Sequence, residues 1–237
     1  MTSRQIGAWM TGAERSSLWA GVRGVCFDLG GTLVVTDTHP TTGQVAHVLG
    51  ITLQQAREVM EAGAKRRRIT PADLAGELAR DFARPEAFEQ LLRVLEGART
   101  RAASPQLFPD ALAALQLLRA RGFALFAMTN SLGSSIPEQE PGFHALLDAV
   151  VHSADTGFCK PEKEAFAAVE ALSGLQPHKL LHVGDSARAD ATGAVAAGWH
   201  AAYLHRPEDT RLPQLADPLA VTIRTLRTLR HLLPARS

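Results

Sequence analysis

Three side chains able to take part in chemistry stand at the ends of apolar segments. Asp28 follows the run Val25-Cys26-Phe27, Thr129 closes the run 123–129, and Asp185 follows the run 180–184. Short apolar runs of this kind predict buried strands. Because α/β proteins bind ligands beyond the carboxyl ends of their parallel strands, we expect Asp28, Thr129 and Asp185 to lie together at one edge of a sheet.

The two carboxylates at that edge predict a cation site. Asp28 and Asp185 would repel each other unless a cation lay between them. Hard oxygen ligands with open positions suit Mg²⁺, which keeps water ligands and takes a phosphate oxygen from a substrate. Gly30 and Gly31, which follow Asp28 almost directly, let the backbone turn sharply and let a ligand approach closely.

The same residues suit phosphoryl transfer. A carboxylate beside a bound phosphate can attack phosphorus and form an aspartyl-phosphate. The charge on the transferring group then needs a metal ion, a cationic side chain and hydroxyl or amide donors. Thr129 can supply the hydroxyl, and Lys160 in Gly157-Phe158-Cys159-Lys160-Pro161 can supply the cation.

Predicted strands and helices alternate along most of the chain. The predicted strands are 22–28, 123–129, 149–152, 180–183, 200–204 and 219–223, and the helices between them are 110–121, 143–147, 162–172, 187–197 and 225–233. This alternation indicates the α/β class, with a doubly wound, mostly parallel Rossmann-like sheet.

A helical segment interrupts this alternation after the first strand. From about residue 41 to residue 96 the apolar residues recur three and four apart, which predicts helices over 42–49, 53–64, 71–82 and 85–95. Thr52 and Thr70 are predicted N-caps, and Pro71 suits a first helical turn. Within this insert, Lys65-Arg66-Arg67-Arg68 is either a solvated helix end or a positive patch that attracts a phosphorylated substrate.

Composition narrows the class of protein. The chain has 237 residues, 46% of them hydrophobic, which is enough for one large domain with an insert. Its net charge of +1 does not point to binding of nucleic acid or of an anionic membrane surface. The two cysteines suit a reducing cytosol, so we predict a cytoplasmic protein. No apolar run approaches the roughly 18 residues of a membrane span, and residues 1–21 are predicted to form a loosely docked extension.

Four segments together resemble the haloacid dehalogenase-like hydrolase superfamily. Its first motif is similar to Asp28-Leu29-Gly30-Gly31-Thr32, and its second to Phe126-Ala127-Met128-Thr129-Asn130. Its third is similar to Lys160-Pro161, and its fourth to Gly184-Asp185-Ser186 with Asp190 five residues after Asp185. Each piece alone is common in proteins, and the order of all four on alternating elements is what makes the resemblance specific.

The resemblance implies a role for each motif residue. Asp28 would be the nucleophile and a Mg²⁺ ligand, together with Asp185 and the backbone carbonyl of Gly30. Asp190 would support the metal, directly or through water. Thr129 and Lys160 would act on the transferring phosphoryl group, and Asn130 would help to bind it. The substrate would be a small phosphorylated metabolite.

The resemblance also implies a division into domains. Residues 22–35 and 106–237 would form the Rossmann-like core, and residues 36–105 would form a helical cap that closes over the site and selects the substrate. The separation of Thr129 from Lys160 leaves little room for a second large cap. The sequence does not indicate an oligomeric state.

Gly30 departs from the family pattern. Phosphatases of the family carry there a second aspartate, which protonates the leaving oxygen and later activates water. Because glycine keeps the carbonyl but lacks the acid, metal binding can survive, while a general acid–base contribution of about 10²–10⁴-fold is lost. Asp37 and His39 are candidates to replace it. We expect a preference for acyl or aryl phosphates, whose leaving groups need no proton.

Three other functions are weighed against the phosphatase. A non-catalytic phosphate-binding or regulatory protein is consistent with Gly30. A phosphonatase-like C–P hydrolase would use Lys65 as a Schiff-base lysine, although Lys160-Pro161 does not match that group well. The haloacid dehalogenases fit poorly, since they lack the Gly-Asp of the fourth motif. His182, in a predicted buried strand, is expected to be a core histidine rather than a ligand.

Overall fold

A computed structural model describes residues 19–37, 39–138, 141–206, 217, 219–233 and 235. Its strands are β1 (Gly24–Phe27), β2 (Ala124–Thr129), β3 (Ala149–His152), β4 (Leu180–Gly184), β5 (His200–Leu204) and β6 (Ala220–Ile223). They form one sheet in the order β3-β2-β1-β4-β5-β6, and every neighbouring pair is parallel. The predicted doubly wound α/β fold is therefore confirmed.

The α-helices of the described residues follow in chain order. They are α1 (Thr41–Leu49), α2 (Leu53–Val59), α3 (Pro71–Asp81), α4 (Phe88–Ala103), α5 (Ala111–Ala120), α6 (Ser153–Thr156), α7 (Lys163–Ser173), α8 (Gly193–Ala196) and α9 (Leu229–Leu232). A π-helical turn, Met60–Ala64, extends α2, and a second one, Ala187–Thr192, leads into α8.

Side-chain alternation along β1 builds a core on each face of the sheet. Val25 and Phe27 pack with α5 and the C-terminal residues on one face, whereas Cys26 packs with α7 and Trp199 on the other. Consecutive residues of a strand point to opposite faces, so a strand covered on both sides reads as one continuous apolar run. The same burial holds β1 rigidly and therefore places the residue that follows it.

The helical insert, which comprises α1 to α4, has an apolar core of its own around Leu49, Met60, Leu78 and Leu91. Thr52 and Thr70 cap α2 and α3 as predicted, each accepting a hydrogen bond from the backbone three residues later, and Pro71 occupies the first turn of α3. Helix α4 continues to Ala103, eight residues beyond the predicted end at Leu95.

Several predicted boundaries differ from the structure. The segment 143–147 is a 3₁₀ helix, Gly142–Leu146, and the short helix α6 follows β3 where no helix was expected. Most of the predicted extension, residues 1–18, lies outside the described residues. Trp19, near the end of the predicted extension, is 1% exposed and packs in the same core as Val25 and Phe27. This last part is therefore docked, because burial of an indole stabilises the contact strongly.

Candidate active site

The strand ends place the predicted site residues at one edge of the sheet. Asp28 directly follows β1, Thr129 is the last residue of β2, and Asp185 directly follows β4. The register sets Phe27 level with both Ala127 and Val183, on the strands either side. Oxygen atoms of Asp28, Asp185 and Asp190 consequently lie within 4.8 Å of one another.

Lys160 is the centre of the site. Its side chain is 3% exposed, and its Nζ donates to Asp28 Oδ1 at 2.6 Å, to Asp190 Oδ1 at 2.7 Å and to the Met128 carbonyl at 2.9 Å. An ammonium group has three protons, so all three are used. The buried lysine is thereby fully satisfied and fixed beside the predicted nucleophile.

Burial and neighbouring charges set the ionisation of this cluster. Burial raises the pKa of Asp28 to about 7, with Lys160 opposing and Asp190 adding to the rise. Burial also acts to raise the pKa of Asp190, but Lys160 and a hydrogen bond from His182 outweigh it and hold that pKa below its usual range. For Lys160 the two carboxylates outweigh burial and raise the pKa, so the amine stays charged.

The donor set suits a divalent cation. Three carboxylates lie near one lysine, so the ionised cluster carries excess negative charge. Partial desolvation of Asp185, which is still exposed, and the charge of Asp190 raise the pKa of Asp185 as well. Hard carboxylate and carbonyl oxygens are the ligands that Mg²⁺ prefers. Asp28, Asp185 and Asp190 therefore fit the predicted metal by chemistry and by proximity.

Two glycines make room for the carboxylates. A Cβ atom on Gly31 would lie 2.0 Å from Asp185 Oδ2, and one on Gly184 would lie 2.2 Å from the Asp190 carboxyl carbon. Gly31 also has φ +79°, a conformation that glycine adopts without strain. The turn after β1 needs this glycine both for its backbone and for the close approach of Asp185.

Gly30 lies in a different environment from Gly31. A Cβ atom at Gly30 would meet Thr36 Cγ2 at 3.4 Å, an ordinary contact. Of the two predicted substitutes for the missing acid, Asp37 Oδ2 lies 3.4 Å from Arg101 Nε and Asp37 Oδ1 accepts from the His39 backbone at 3.1 Å. Their role as substitutes remains a prediction.

Asn130 holds the backbone of the lysine. Its Nδ2 donates to the Lys160 carbonyl at 2.8 Å, and its Oδ1 accepts from the Lys160 amide at 2.9 Å. Both ends of the carboxamide are thus engaged by one residue that lies 30 positions later. The side chain positions Lys160, whereas a contribution of Asn130 to phosphate binding stays a prediction.

His182 belongs to the site network, which the sequence did not indicate. This histidine of β4 is 1% exposed, its Nε2 lies 2.9 Å from Asp190 Oδ1, and its ring packs edge-on against Phe166. Burial lowers its pKa, which favours the neutral ring. The histidine is buried as predicted, but only its Nε2 is paired, with the carboxylate that holds Lys160, and its buried Nδ1 has no hydrogen-bond partner among the described residues. A polar residue three positions before Asp185 in a buried strand was the available signal.

Arg206, which the sequence analysis also missed, supports the turn after Asp28. It donates to the carbonyls of Gly31 at 3.3 Å and Thr32 at 2.7 Å, and its guanidinium forms a two-bond pair with Asp110. Its guanidinium carbon also lies 3.8 Å from the centre of the Phe108 ring. Arg206, two residues after β5, therefore fixes the first motif from 174 positions away.

The basic segment of the insert, Lys65 to Arg68, is interpreted either as a solvated helix end or as a positive patch, and its contacts bear on both interpretations. Arg66 pairs with Glu162, Arg67 with Glu77 and Arg68 with Asp155, while Lys65 Nζ lies 3.8 Å from Glu61. The three arginines are ion-paired, two of them with residues outside the insert. The side chains of Arg67 and Arg68 are nevertheless 50% and 60% exposed, and attraction of a phosphorylated substrate by this basic turn, Lys65 to Arg68, stays a prediction.

Cys26 and Cys159 are buried and unbridged. Burial raises the pKa of both thiols, which disfavours the reactive thiolate. Among the described residues, no helix combines the length and the apolar character needed to cross a bilayer.

Comparison with known proteins identifies a family. Residues 22–198 match the sequence model of the haloacid dehalogenase-like hydrolases. The matched range begins just before β1 and contains all four motifs named above.

Two curated proteins are similar in sequence to this chain. The chain is 30% identical over 166 residues to haloacid dehalogenase-like hydrolase domain-containing protein 3 of Bos taurus, which covers 69% of this chain and 58% of that protein. It is 32% identical over 120 residues to the phosphoserine phosphatase of Thermus thermophilus, covering 48% of this chain and 47% of that enzyme. It thus spans only about half of the length of these curated relatives.

The fold has a close counterpart among solved structures. The 2-haloacid dehalogenase of Pseudomonas syringae superposes with a TM-score of 0.62 at 22% identity, over 89% of this chain and 97% of that one. At this identity the similarity concerns the fold.

Proposed function

We propose that this chain, which belongs to the haloacid dehalogenase-like hydrolase family, is a Mg²⁺-dependent phosphohydrolase of a small phosphorylated metabolite. The observation that carries the proposal is the position of Lys160 Nζ, 2.6 Å from Asp28 and 2.7 Å from Asp190. A buried ammonium group held beside a strand-end carboxylate and within a cluster of three acids suits phosphoryl transfer better than mere structural support. The phosphatase relative described above agrees with this reaction.

Asp28 would act as the nucleophile. Its Oδ1 is held by Lys160, which leaves Oδ2 to form a bond with phosphorus as the bond from phosphorus to the leaving oxygen breaks. Water then attacks the phosphorus of the aspartyl-phosphate, the bond from phosphorus to Asp28 Oδ2 breaks, and the proton that water loses passes to bulk water, which releases inorganic phosphate and restores the free carboxylate. Lys160 and the Thr129 hydroxyl would balance the charge on the transferring oxygens.

The metal would be held by this chain's strand-end oxygens. Asp28, Asp185 and the Gly30 carbonyl are the proposed ligands, with Asp190 contributing directly or through water. When bound, Mg²⁺ supplies positive charge to the phosphate and lowers the repulsion between the carboxylates. Because Asp190 already accepts from Lys160, His182 and the Ser186 amide at 2.8 Å, we favour the indirect role for it.

This protein differs from phosphatases of the family in how the leaving group could be protonated. With Gly30 in place of the acid, no side chain at that position can protonate the departing oxygen. We propose that the preferred substrates are acyl or aryl phosphates, whose leaving groups depart without a proton. The helical insert would act as the cap that excludes bulk water, and we propose a cytosolic location.

An assay of activated phosphates tests this function. Acetyl phosphate and p-nitrophenyl phosphate are offered with Mg²⁺ to the wild type and to Asp28→Asn. Because the variant lacks the nucleophile but keeps a similar shape, we expect turnover to fall by at least about 10³-fold. Mass spectrometry of the acid-quenched wild type should show a phosphate on Asp28.

The alternative is a non-catalytic phosphate-binding or regulatory protein on the same fold, and the observation in its favour is Gly30. Equal, background-level turnover of both proteins would support this alternative, provided that phosphate still binds. Calorimetric titration with inorganic phosphate and Mg²⁺ makes that distinction.

A further inference from the structure

The basic turn, Lys65 to Arg68, joins the helical insert to the core. Ser153 Oγ donates to the Lys65 carbonyl at 2.6 Å, and Arg68 forms a two-bond pair with Asp155 of α6 at 2.5 and 2.9 Å. A Cβ atom on Gly133 would lie 1.9 Å from the Arg67 carbonyl oxygen, so the two backbones touch there. The turn is therefore attached to the segments that follow both β2 and β3.

Arg66 makes a different connection from its neighbour Arg68. Its guanidinium donates to both carboxylate oxygens of Glu162, at 2.9 and 2.5 Å, and to the Gly157 carbonyl at 2.9 Å. Glu162 and Gly157 are the two ends of the lysine loop, residues 157–162. One side chain of the insert thus clamps both ends of the loop that carries Lys160.

Glu162 links Arg66 to the residue that directly precedes Lys160. Its Oε2 accepts from the Cys159 amide at 3.0 Å as well as from Arg66. Cys159 precedes Lys160 directly, and from the opposite side Asn130 holds the Lys160 amide and carbonyl. The loop is consequently held by the core through Asn130 and by the insert through Arg66.

Charge and geometry suit Arg66 for this task. A planar guanidinium can donate two parallel hydrogen bonds to a carboxylate and others to a carbonyl, whereas an ammonium group lacks this fork geometry. The Arg66 side chain is 32% exposed. Because exposed ion pairs contribute little stability, the geometry points to placement of the loop rather than to added stability.

We propose that Arg66 and Glu162 are positioning residues that couple docking of the helical insert to placement of Lys160. This inference rests on the proposed phosphohydrolase function. When the insert is docked, Arg66 fixes the lysine loop, so that Nζ lies between Asp28 and Asp190. When the insert moves away, the loop loses one of its two supports.

Paired substitutions test the proposal, because Arg68→Ala removes a comparable two-bond pair that does not reach the lysine loop. We expect Arg66→Ala to lower kcat about 10–100-fold, as expected for a displaced catalytic group, with a smaller change in KM. Arg68→Ala should change either constant by about fivefold or less. Arg66→Lys should fall between the two, because it keeps the charge and loses the fork.

A second readout is independent of activity. Reductive methylation followed by mass spectrometry measures the accessibility of Lys160, and hydrogen exchange measures the protection of residues 157–162. Arg66→Ala should methylate at Lys160 several-fold faster and lose protection in the loop, whereas Arg68→Ala should match the wild type at both. Thermal unfolding confirms that each variant is folded.

The outcomes separate the two proposals. An inactive wild type would overturn the phosphohydrolase, while methylation and exchange would still decide the role of Arg66. Equal effects of Arg66→Ala and Arg68→Ala on kcat and on Lys160 labelling would show an ordinary tether and overturn the coupling. The effects of Arg66→Ala and Glu162→Ala on labelling are also compared with that of the double variant. Fully additive effects would show that the two residues act independently and would overturn the proposal that they act as a pair.

Discussion

Lys160 is the residue on which the site depends. A lysine this deeply buried would normally lose its proton, yet Asp28 and Asp190 outweigh burial and raise its pKa. Burial raises the pKa of Asp28 to about 7, although the charge of Lys160 opposes this rise. The proposed nucleophile therefore titrates near neutrality, whereas Asp190 stays ionised and holds the ammonium group.

The pH dependence of activity should report Asp28. The carboxylate is the reactive form, so activity is lost as the pH falls through the raised pKa and Asp28 takes up a proton. We expect the acid limb of kcat/KM, which reports the free enzyme, near pH 7 at low Mg²⁺. A bound cation favours the carboxylate, so the limb should move to lower pH as Mg²⁺ is raised.

The substrate's own phosphate titration, measured without enzyme, is the control for this profile. An acid limb that does not respond to Mg²⁺ would assign the titration to the substrate and not to Asp28.

Restoring an acid at position 30 should widen the range of substrates. The nearest contact for a Cβ there is Thr36 Cγ2 at 3.4 Å, so Gly30→Asp can be accommodated. We expect hydrolysis of alkyl phosphates to rise by about 10²–10⁴-fold, measured as kcat/KM by phosphate release. Aryl phosphates should gain much less, since their leaving groups need little protonation.

Gly31→Asp is the matched control, because its side chain would collide with Asp185 and its backbone has φ +79°. That variant should lose activity altogether. A folded Gly30→Asp protein without any gain on alkyl phosphates would mean that another feature limits the reaction.

At the level of elements, the contact between the insert and the core depends on small residues and on short segments. Gly133 begins the 3₁₀ turn Gly133–Ser135 after β2, and Leu132 packs into the core of the insert. The loop after β2 therefore packs against both the insert and the core. This arrangement couples the end of β2, where Thr129 lies, to the helices above it.

Gly133→Ala should weaken this contact. The added methyl group would lie 1.9 Å from the Arg67 carbonyl oxygen, and backbone atoms cannot rotate away as a side chain can. We expect a loss of about 1–3 kcal/mol in the free energy of unfolding, measured by urea denaturation. Gly43→Ala in α1 meets nothing within 4 Å and should be neutral or stabilising by up to about 1 kcal/mol. Similar losses in both variants would contradict a tight contact at Gly133.

At the level of the whole molecule, the parallel sheet gathers negative charge at one edge. The central strands β1, β2 and β4 each end there, and Asp28, Asp185 and Asp190 face a single Lys160. A cation bound at this edge would find no equivalent site in the unfolded chain. Metal binding and folding stability should therefore be linked.

Mg²⁺ should raise the melting temperature. At 100 times its Kd a ligand that binds the folded state alone stabilises it by about 2.7 kcal/mol, which corresponds to roughly 5–10 °C for a protein of this size. Differential scanning calorimetry with and without a chelator measures the shift. Asp185→Asn should reduce it strongly, and an unchanged melting temperature in the wild type would count against the metal site.

The sequence predicted the fold and the arrangement of strand ends because those signals are local. Each apolar run is read within about six residues, and the parallel alternation of strands and helices then places Asp28, Thr129 and Asp185 at one edge. The end of α4 was misjudged because its last two turns carry few apolar residues. The helix continues there on residues with good intrinsic helix propensity, such as Ala98 and Arg101.

By itself, then, the sequence determined the class of the fold, the family resemblance, the predicted nucleophile and the absence of an acid at Gly30. Only the tertiary structure decided which groups support them: His182 behind Asp190, Arg206 on the first motif, and Arg66 on the lysine loop. These supports join residues from 8 to 175 positions apart. A hydrogen bond depends on distance and direction in space, so its partner cannot be read from neighbours in the chain.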